Sequence, residues 1–260
     1  MPLLTDAELT AYIGTFLWPF FRIGAFFMAA PIFGANFVPM PVRIGLAFLT
    51  TLLLMPLLPP VPVVMDALSP QTWLLVAQQL LIGISLGFIV QLLFQVFIIF
   101  GQIVAMQIGM GMAQMADPSS GINVTVLSQY GLVMTNLVFL AAGGHLVIIH
   151  TLAESFTVIP VGWEGMTRER AWILANQGAW LFAGALLMAL PIIIAKLVVN
   201  IALGVVTRAA PQLNIFVIGF PIMMMLGLLE LWIWSTEYLF HFDRMAREMF
   251  ELLRYWLELS

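Results

Sequence analysis

Residues 184–221 read GALLMALPIIIAKLVVNIALGVVTRAAPQLNIFVIGFP, an apolar run of roughly thirty residues interrupted by a proline, a lysine, an asparagine and a glycine. The run is long enough to cross a bilayer. At about 100° per residue, Asn200 falls about 40° from Lys196 and Thr207 about 20° from it, so the polar groups form one stripe. A lysine facing lipid near the bilayer centre costs at least ~2.5–3.5 kcal/mol, so the stripe is expected to face protein or water. The segment RAAPQLN (208–214) then breaks the helix, because Pro211 lacks an amide donor and disfavours helical geometry at Ala210.

Composition extends this reading to the whole chain. Of 260 residues 62% are hydrophobic and 8% charged, and the mean hydropathy is +1.06. So few charged side chains cannot cover a water-soluble domain of this length. The fold class expected is all-α: a polytopic integral membrane protein with long, partly broken helices packed into a multi-subunit helical assembly. Without cysteine there are no disulfides or thiolate metal sites, and a net charge of −4 leaves no nucleic-acid footprint. The acidic start MPLLTDAELTAY lacks the basic region of a cleavable signal, so the first apolar run is read as retained.

The chain reads as one domain, 1–260, with six to seven hydrophobic segments. Runs at 11–30 (holding Arg22) and 42–58 are followed by a break containing Pro59, Pro60 and Pro62. Residues 71–116 contain no proline, and as one helix would approach ~70 Å, about twice a hydrocarbon core. Two spans breaking near Gly101, or one helix leaving the bilayer, would both fit. Further runs follow at 125–150, 171–206 and 213–234. The tail, 236–260, is an amphipathic helix: Glu237, Arg244, Arg247, Glu248, Glu251, Arg254 and Glu258 share a face opposite Phe242, Met245, Met249, Phe250, Leu253 and Trp256. Arg244–Glu248 and Arg247–Glu251 are spaced as i,i+4 pairs. Arginines at 43, 168, 170 and in the tail favour the cytoplasm. Splitting 71–116 into two spans reconciles them with the N-terminus periplasmic, the C-terminus cytoplasmic and Arg208 the exception.

Within the apolar runs, Gly87, Gln91, Gln95, Gln102 and Gly109 lie within about 80° of one another on a continuous helix. Such amides act as glue between helices or line an aqueous path. The segment MQIGMGMAQM (106–115) puts thioethers on a glycine-containing backbone, a surface able to repack around different contents or to fill a core. Arg22, Lys196 and Glu230 are candidate intramembrane charges. His145, His150 and Glu154 lack a third ligand at favourable spacing and the HExxH pattern, and read as satisfied histidines at a boundary. No nucleophile–base pair, Walker sequence or redox motif is present, and neither an enzyme nor a cofactor is expected.

Four ordered blocks, RIGAFFMAAPIFGANFVPMPVRIGLA (22–47), GQIVAMQIGMGMAQMADPSSG (101–121), FLAAGGHLVIIHTLAESFTVIPVG (139–162) and ALPIIIAKLVVNIALGVVTRAAPQLNIFVIGFP (189–221), resemble the FliR family of flagellar biosynthesis and export proteins, whose virulence-associated relatives serve type III secretion. The resemblance spans nearly the whole chain. It implies a subunit of the export gate in the bacterial inner membrane, at the centre of the flagellar basal body. There it would pack with FliP-like and FliQ-like subunits, associate with FlhB-like and FlhA-like proteins, and conduct unfolded export substrates. It also implies that 106–121 projects into the pore as a plug, a role carried to Met106, Gly109, Met110, Gly111, Met112 and Met115. Polar positions expected at assembly contacts are Arg22, Gln91, Gln95, Gln102, Lys196, Asn200, Arg208, Pro211, Gln212 and Asn214. Rival readings are an injectisome export subunit, an ion-coupled secondary transporter with a midplane site at Lys196 and the 208–214 break, and an intramembrane hydrolase using His145, His150 and Glu154.

Overall fold

The computed structural model describes residues 6–34, 38–59, 69–110, 125–162, 165–210 and 215–259, with backbone alone for 6–13 and 215–218. The described residues form eight α-helices: α1 (Asp6–Ala29), α2 (Met40–Leu54, continued by a 3-10 turn at Met55–Leu57), α3 (Pro70–Gln107), α4 (Val126–Ala141), α5 (Gly144–Val158), α6 (Arg168–Ala209), α7 (Ile215–Thr236) and α8 (Tyr238–Glu258). No strand occurs among them. Four stretches are long and apolar enough to cross a membrane: 40–57, α3, α6 and 219–236. The α4–α5 pair makes a fifth if counted as one broken span. The protein is thus an all-helical polytopic membrane protein.

The chain divides into two compact units, one comprising 1–92, 140–177 and 248–260, the other 93–139 and 178–247. In the first, α3 packs on α1 through glycines. A Cβ on Gly83 would strike the Arg22 carbonyl and come within 3.0 Å of the Phe26 amide; one on Gly87 would come within 2.9 Å of the Ala30 amide. The obstacles are backbone, which cannot move aside as a side chain would, so GISLG (83–87) is the surface that lets the two helices meet. In the second unit, Phe94 meets Phe139 edge-on, Phe97 contacts Tyr238 and Phe242, and Phe100 stacks on Trp234 at 4.1 Å between centroids. The Tyr238 hydroxyl lies 2.7 Å from the Thr135 hydroxyl and 3.2 Å from the Gly131 carbonyl. Burial holds this phenol protonated, raising it above its usual value against the opposing pull of Thr135.

Three sequence expectations change. Helix α3 runs unbroken from Pro70 to Gln107, about 57 Å, so 71–116 does not split near Gly101. Gly101 is instead a crossing point, where a Cβ would sit 2.7 Å from the Ser128 backbone. Ser128 Oγ also donates to the Ile98 carbonyl there. A glycine needed for close approach leaves the same mark in a sequence as one that ends a helix. The run 125–150 is not one helix: it breaks at Ala142 and Gly143, and Gly143 takes φ 73°, a left-handed conformation suited to glycine. Arg170 is buried, so it is not the surface charge that the topology reading took it for. Without the split and without Arg170, the loop charges no longer balance around N-out, C-in.

The tail matches its reading. Along α8, Phe242, Met245, Met249, Leu253 and Trp256 are buried, while Glu251, Arg254 and Glu258 are exposed. Arg247 pairs with Asp243, one turn towards the N-terminus, in place of the Glu251 partner expected for it.

Candidate functional site

Arg22, drawn from the sequence as an isolated intramembrane charge, is wholly buried and engaged through all three guanidinium nitrogens. Nε donates to Gln79 Oε1 at 2.8 Å. Nη1 donates to the Ser155 carbonyl at 2.8 Å and its hydroxyl at 3.2 Å, and Nη2 to the Ile159 carbonyl at 2.9 Å. Its Cζ lies 4.2 Å from the centroid of the Phe156 ring. Every oxygen on it is neutral, and two are carbonyls at the end of α5, where the helix dipole is negative and orphan carbonyls accumulate. The arginine therefore caps α5 and ties α1 to it and to α3.

Sequence reasoning missed a second group of the same kind. Arg170, in the first turn of α6, donates to the Gly165 carbonyl at 2.7 Å, to the Trp256 and Leu257 carbonyls at 3.3 and 3.2 Å, and to that of Leu259. Trp256 Nε1 returns a bond to the Arg170 carbonyl at 3.1 Å. Here an arginine caps the end of α8. Nothing in the local sequence distinguishes it from Arg168 two residues earlier, because three of its four acceptors lie more than eighty positions away.

In the second unit Lys196 is also fully buried. Nζ donates to the Met223 carbonyl at 2.5 Å and lies 3.9 Å from Glu230 Oε2. Gly227 lies beside this site and makes room for Ile108, whose side chain a Cβ there would strike. The arrangement locks α6 to α7. Asn200 and Thr207, expected in the same stripe, do not share that environment: Asn200 is exposed and Thr207 half-buried, its hydroxyl bonded back to the Leu203 and Gly204 carbonyls. From Leu197 to Ala210 no residue of α6 is buried, and Leu197, Val198, Ile201 and Val205 are all more than half exposed. Arg208 is exposed in the last turn, where a cation suits the dipole. Helix α6 ends at Ala209 and α7 begins at Ile215; Pro211, Gln212 and Asn214 lie outside the described residues.

Gln91, Gln95 and Gln102 fall on the continuous part of α3 and are each half-buried. No described residue bonds to their amides. The methionine segment starts where α3 ends. Met106 is 72% exposed, although the helix before it is largely interior. Gly109 turns the chain at φ 83°, with the Phe220 ring where a side chain would be. Met110 is half-buried, while Gly111, Met112 and Met115 lie outside the described residues. His150 Nδ1 stands 4.0 Å from Glu154 on an open surface, and no cluster of three metal-ligating side chains occurs among the described residues.

These features define a class: a polytopic helical membrane protein whose buried charged groups join helices, with a methionine-rich stretch of sequence beginning at the end of α3. The profile of the bacterial export proteins, family 1, matches residues 13–249, and the chain belongs to that family. The flagellar biosynthetic protein FliR of Pectobacterium carotovorum subsp. carotovorum is 38% identical over 226 residues, covering 86% of this chain and 85% of its own. FliR of Escherichia coli (strain K12) is 36% identical over 225 residues, with the same two coverages. FliR of Aquifex aeolicus (strain VF5) is 31% identical over 220 residues, covering 85% and 84%.

Proposed function

We propose that the chain is a non-catalytic subunit of the flagellar type III export gate in the bacterial inner membrane. In this reading it packs with FliP-like and FliQ-like subunits, associates with FlhB-like and FlhA-like proteins, and forms part of the pore for unfolded substrates. The observation carrying the proposal is the second half of α6. An apolar helix with no buried residue and with a carboxamide among its exposed positions has surface left over for neighbouring subunits: lipid accepts the leucines and valines, but not Asn200 without a partner. Co-expression tests this. The chain should be recovered as a stable, monodisperse particle with FliP-like and FliQ-like chains and should aggregate without them. Stable monodisperse purification alone would favour a transporter.

The pore role is assigned to the segment that begins at Met106. A protein-conducting channel has to pass side chains of every chemistry and still exclude ions when idle. Flexible thioethers after the Gly109 turn can yield to a chain and close behind it by apolar contact. Deleting Met110–Met115 is expected to leave assembly largely intact and to make cells leak ions and small solutes. Membrane conductance of cells producing the full gate checks this, and a deletion that assembles yet stays tight removes the segment from gating.

The orientation proposed for the C-terminus rests on Arg244, Arg247 and Arg254, a cluster that favours the cytoplasm for the end of α8. A Ser260→Cys chain should resist impermeant thiol reagents in intact spheroplasts and react once they are opened. Reaction in intact spheroplasts would reverse the assignment.

A further inference from the structure

A cleft of about 340 Å³ in the second unit is lined from α6 by Leu187, Met188, Pro191 and Ile192. Along the other wall run Glu230, Ile233, Trp234, Glu237 and His241. Most of this surface is apolar, yet three buried polar atoms on its lining have no hydrogen-bond partner among the described residues: Glu230 Oε2, Trp234 Nε1 and His241 Nδ1. Trp234 is 8% exposed, so its indole N–H cannot turn to bulk solvent. A fourth group comes from chemistry alone. Pro191 has no amide hydrogen, which leaves the Leu187 carbonyl without its usual i+4 donor, and both residues line the cleft. Buried polar groups are bonded in the great majority of cases, and a space that is both polar and roomy is where water supplies the bonds.

Charge gives the cleft a sign. Glu230 and Glu237 both line it, while the one nearby lysine, Lys196, already donates to the Met223 carbonyl. His241, 3.9 Å from Glu237 and stacked on Trp234, does not offset them. Burial, together with the Arg244 guanidinium, holds its imidazole below the usual range against the opposing pull of Glu237, so it is neutral at pH 7. Lys196 offsets Glu230, 3.9 Å away, so the charge left over on the lining is the Glu237 carboxylate.

We propose that this cleft is a hydrated vestibule that admits water and small ammonium-type cations to the side of the Glu230–Lys196 pair. The polar positions follow one another at 230, 234, 237 and 241, about one helical turn apart, from α7 into α8. Water entering by Glu237 and His241 would meet Trp234 next and Glu230 last. The pair would then be a wet one inside an apolar helix bundle, with its charges stabilised by solvent as well as by each other.

The chain contains no cysteine, so single thiols report cleanly. Ile233→Cys lies on the cleft wall; Leu229→Cys, comparably exposed, lies on the same helix outside it. In native membranes containing the assembled complex, Ile233→Cys should react with trimethylammonium-ethyl methanethiosulfonate roughly tenfold faster than Leu229→Cys. It should also prefer that cation to the sulfonate-ethyl analogue by roughly tenfold, and Glu237→Gln should narrow the preference to roughly threefold. Leu187→Cys on the opposite wall gives the same readings should Ile233→Cys fail to assemble. A cleft thiol as inert as Leu229→Cys means that lipid or a neighbouring chain fills the space, and overturns the proposal. Equal rates with the two reagents overturn its cation preference and with it the role of Glu237.

Discussion

Arg22→Met is expected to destabilise the protein by about 3–5 kcal/mol, the summed cost of leaving several buried neutral acceptors without the donors they have now. The substitution keeps most of the volume but removes the guanidinium donors from Gln79 Oε1, the Ser155 carbonyl and hydroxyl, and the Ile159 carbonyl, of which the Ser155 carbonyl keeps only its bond from the Ile159 amide. Each acceptor left bare in an apolar interior costs on the order of 1–3 kcal/mol, and the end of α5 loses its cap. Arg22→Lys should fall between, since one ammonium cannot span acceptors on α3 and on both sides of the α5 terminus. Thermal unfolding of the purified complex, read on this chain, is the measurement. A melting temperature for Arg22→Met equal to that of the parent would show that the network contributes nothing, and that the helices are held by apolar packing alone.

Lys196→Glu should abolish assembly where Lys196→Leu merely weakens it. The glutamate would stand in a fully buried site between the Met223 carbonyl and the Glu230 carboxylate, so two attractive contacts become two repulsive ones. A buried like-charge pair of this kind costs several kcal/mol, ~3–5 by analogy with broken buried ion pairs. Leucine removes one hydrogen bond and leaves a carboxylate that can take up a proton, a loss of about 1–2 kcal/mol. The amount of complex recovered after equal expression measures both. Equal loss from the two variants would mean that the ammonium itself is required, and full recovery of Lys196→Glu would place Lys196 elsewhere than the structure does.

Some of this was legible along the chain. Hydropathy defined the class because few charges in 260 residues leave no water-soluble solution. The 3.6-residue period of the tail defined which face of α8 is buried, since a helix terminus of alternating charge and aromatic residues has one way to lie. The charges at 22 and 196 were legible as groups that need a partner, since their cost at membrane depth does not depend on the fold.

The rest was not, and for one reason. Which of several chemically equal residues is used depends on what the fold brings beside it. Gly101 and Gly143 are both glycines in apolar runs; the first lets α4 cross a straight helix and the second breaks one, according to whether a backbone lies against it. Arg168 and Arg170 differ by two positions, yet only Arg170 reaches the carbonyls at the end of α8. Lys196 and Asn200 share a helical face by angle, but α7 covers only the lysine. The sequence by itself determined what each residue would tolerate: burial with a partner, solvent, or a close neighbour. The tertiary structure alone decided which partner each one met, because the carbonyls and carboxylates that satisfy a buried charge are supplied by segments far away in the chain.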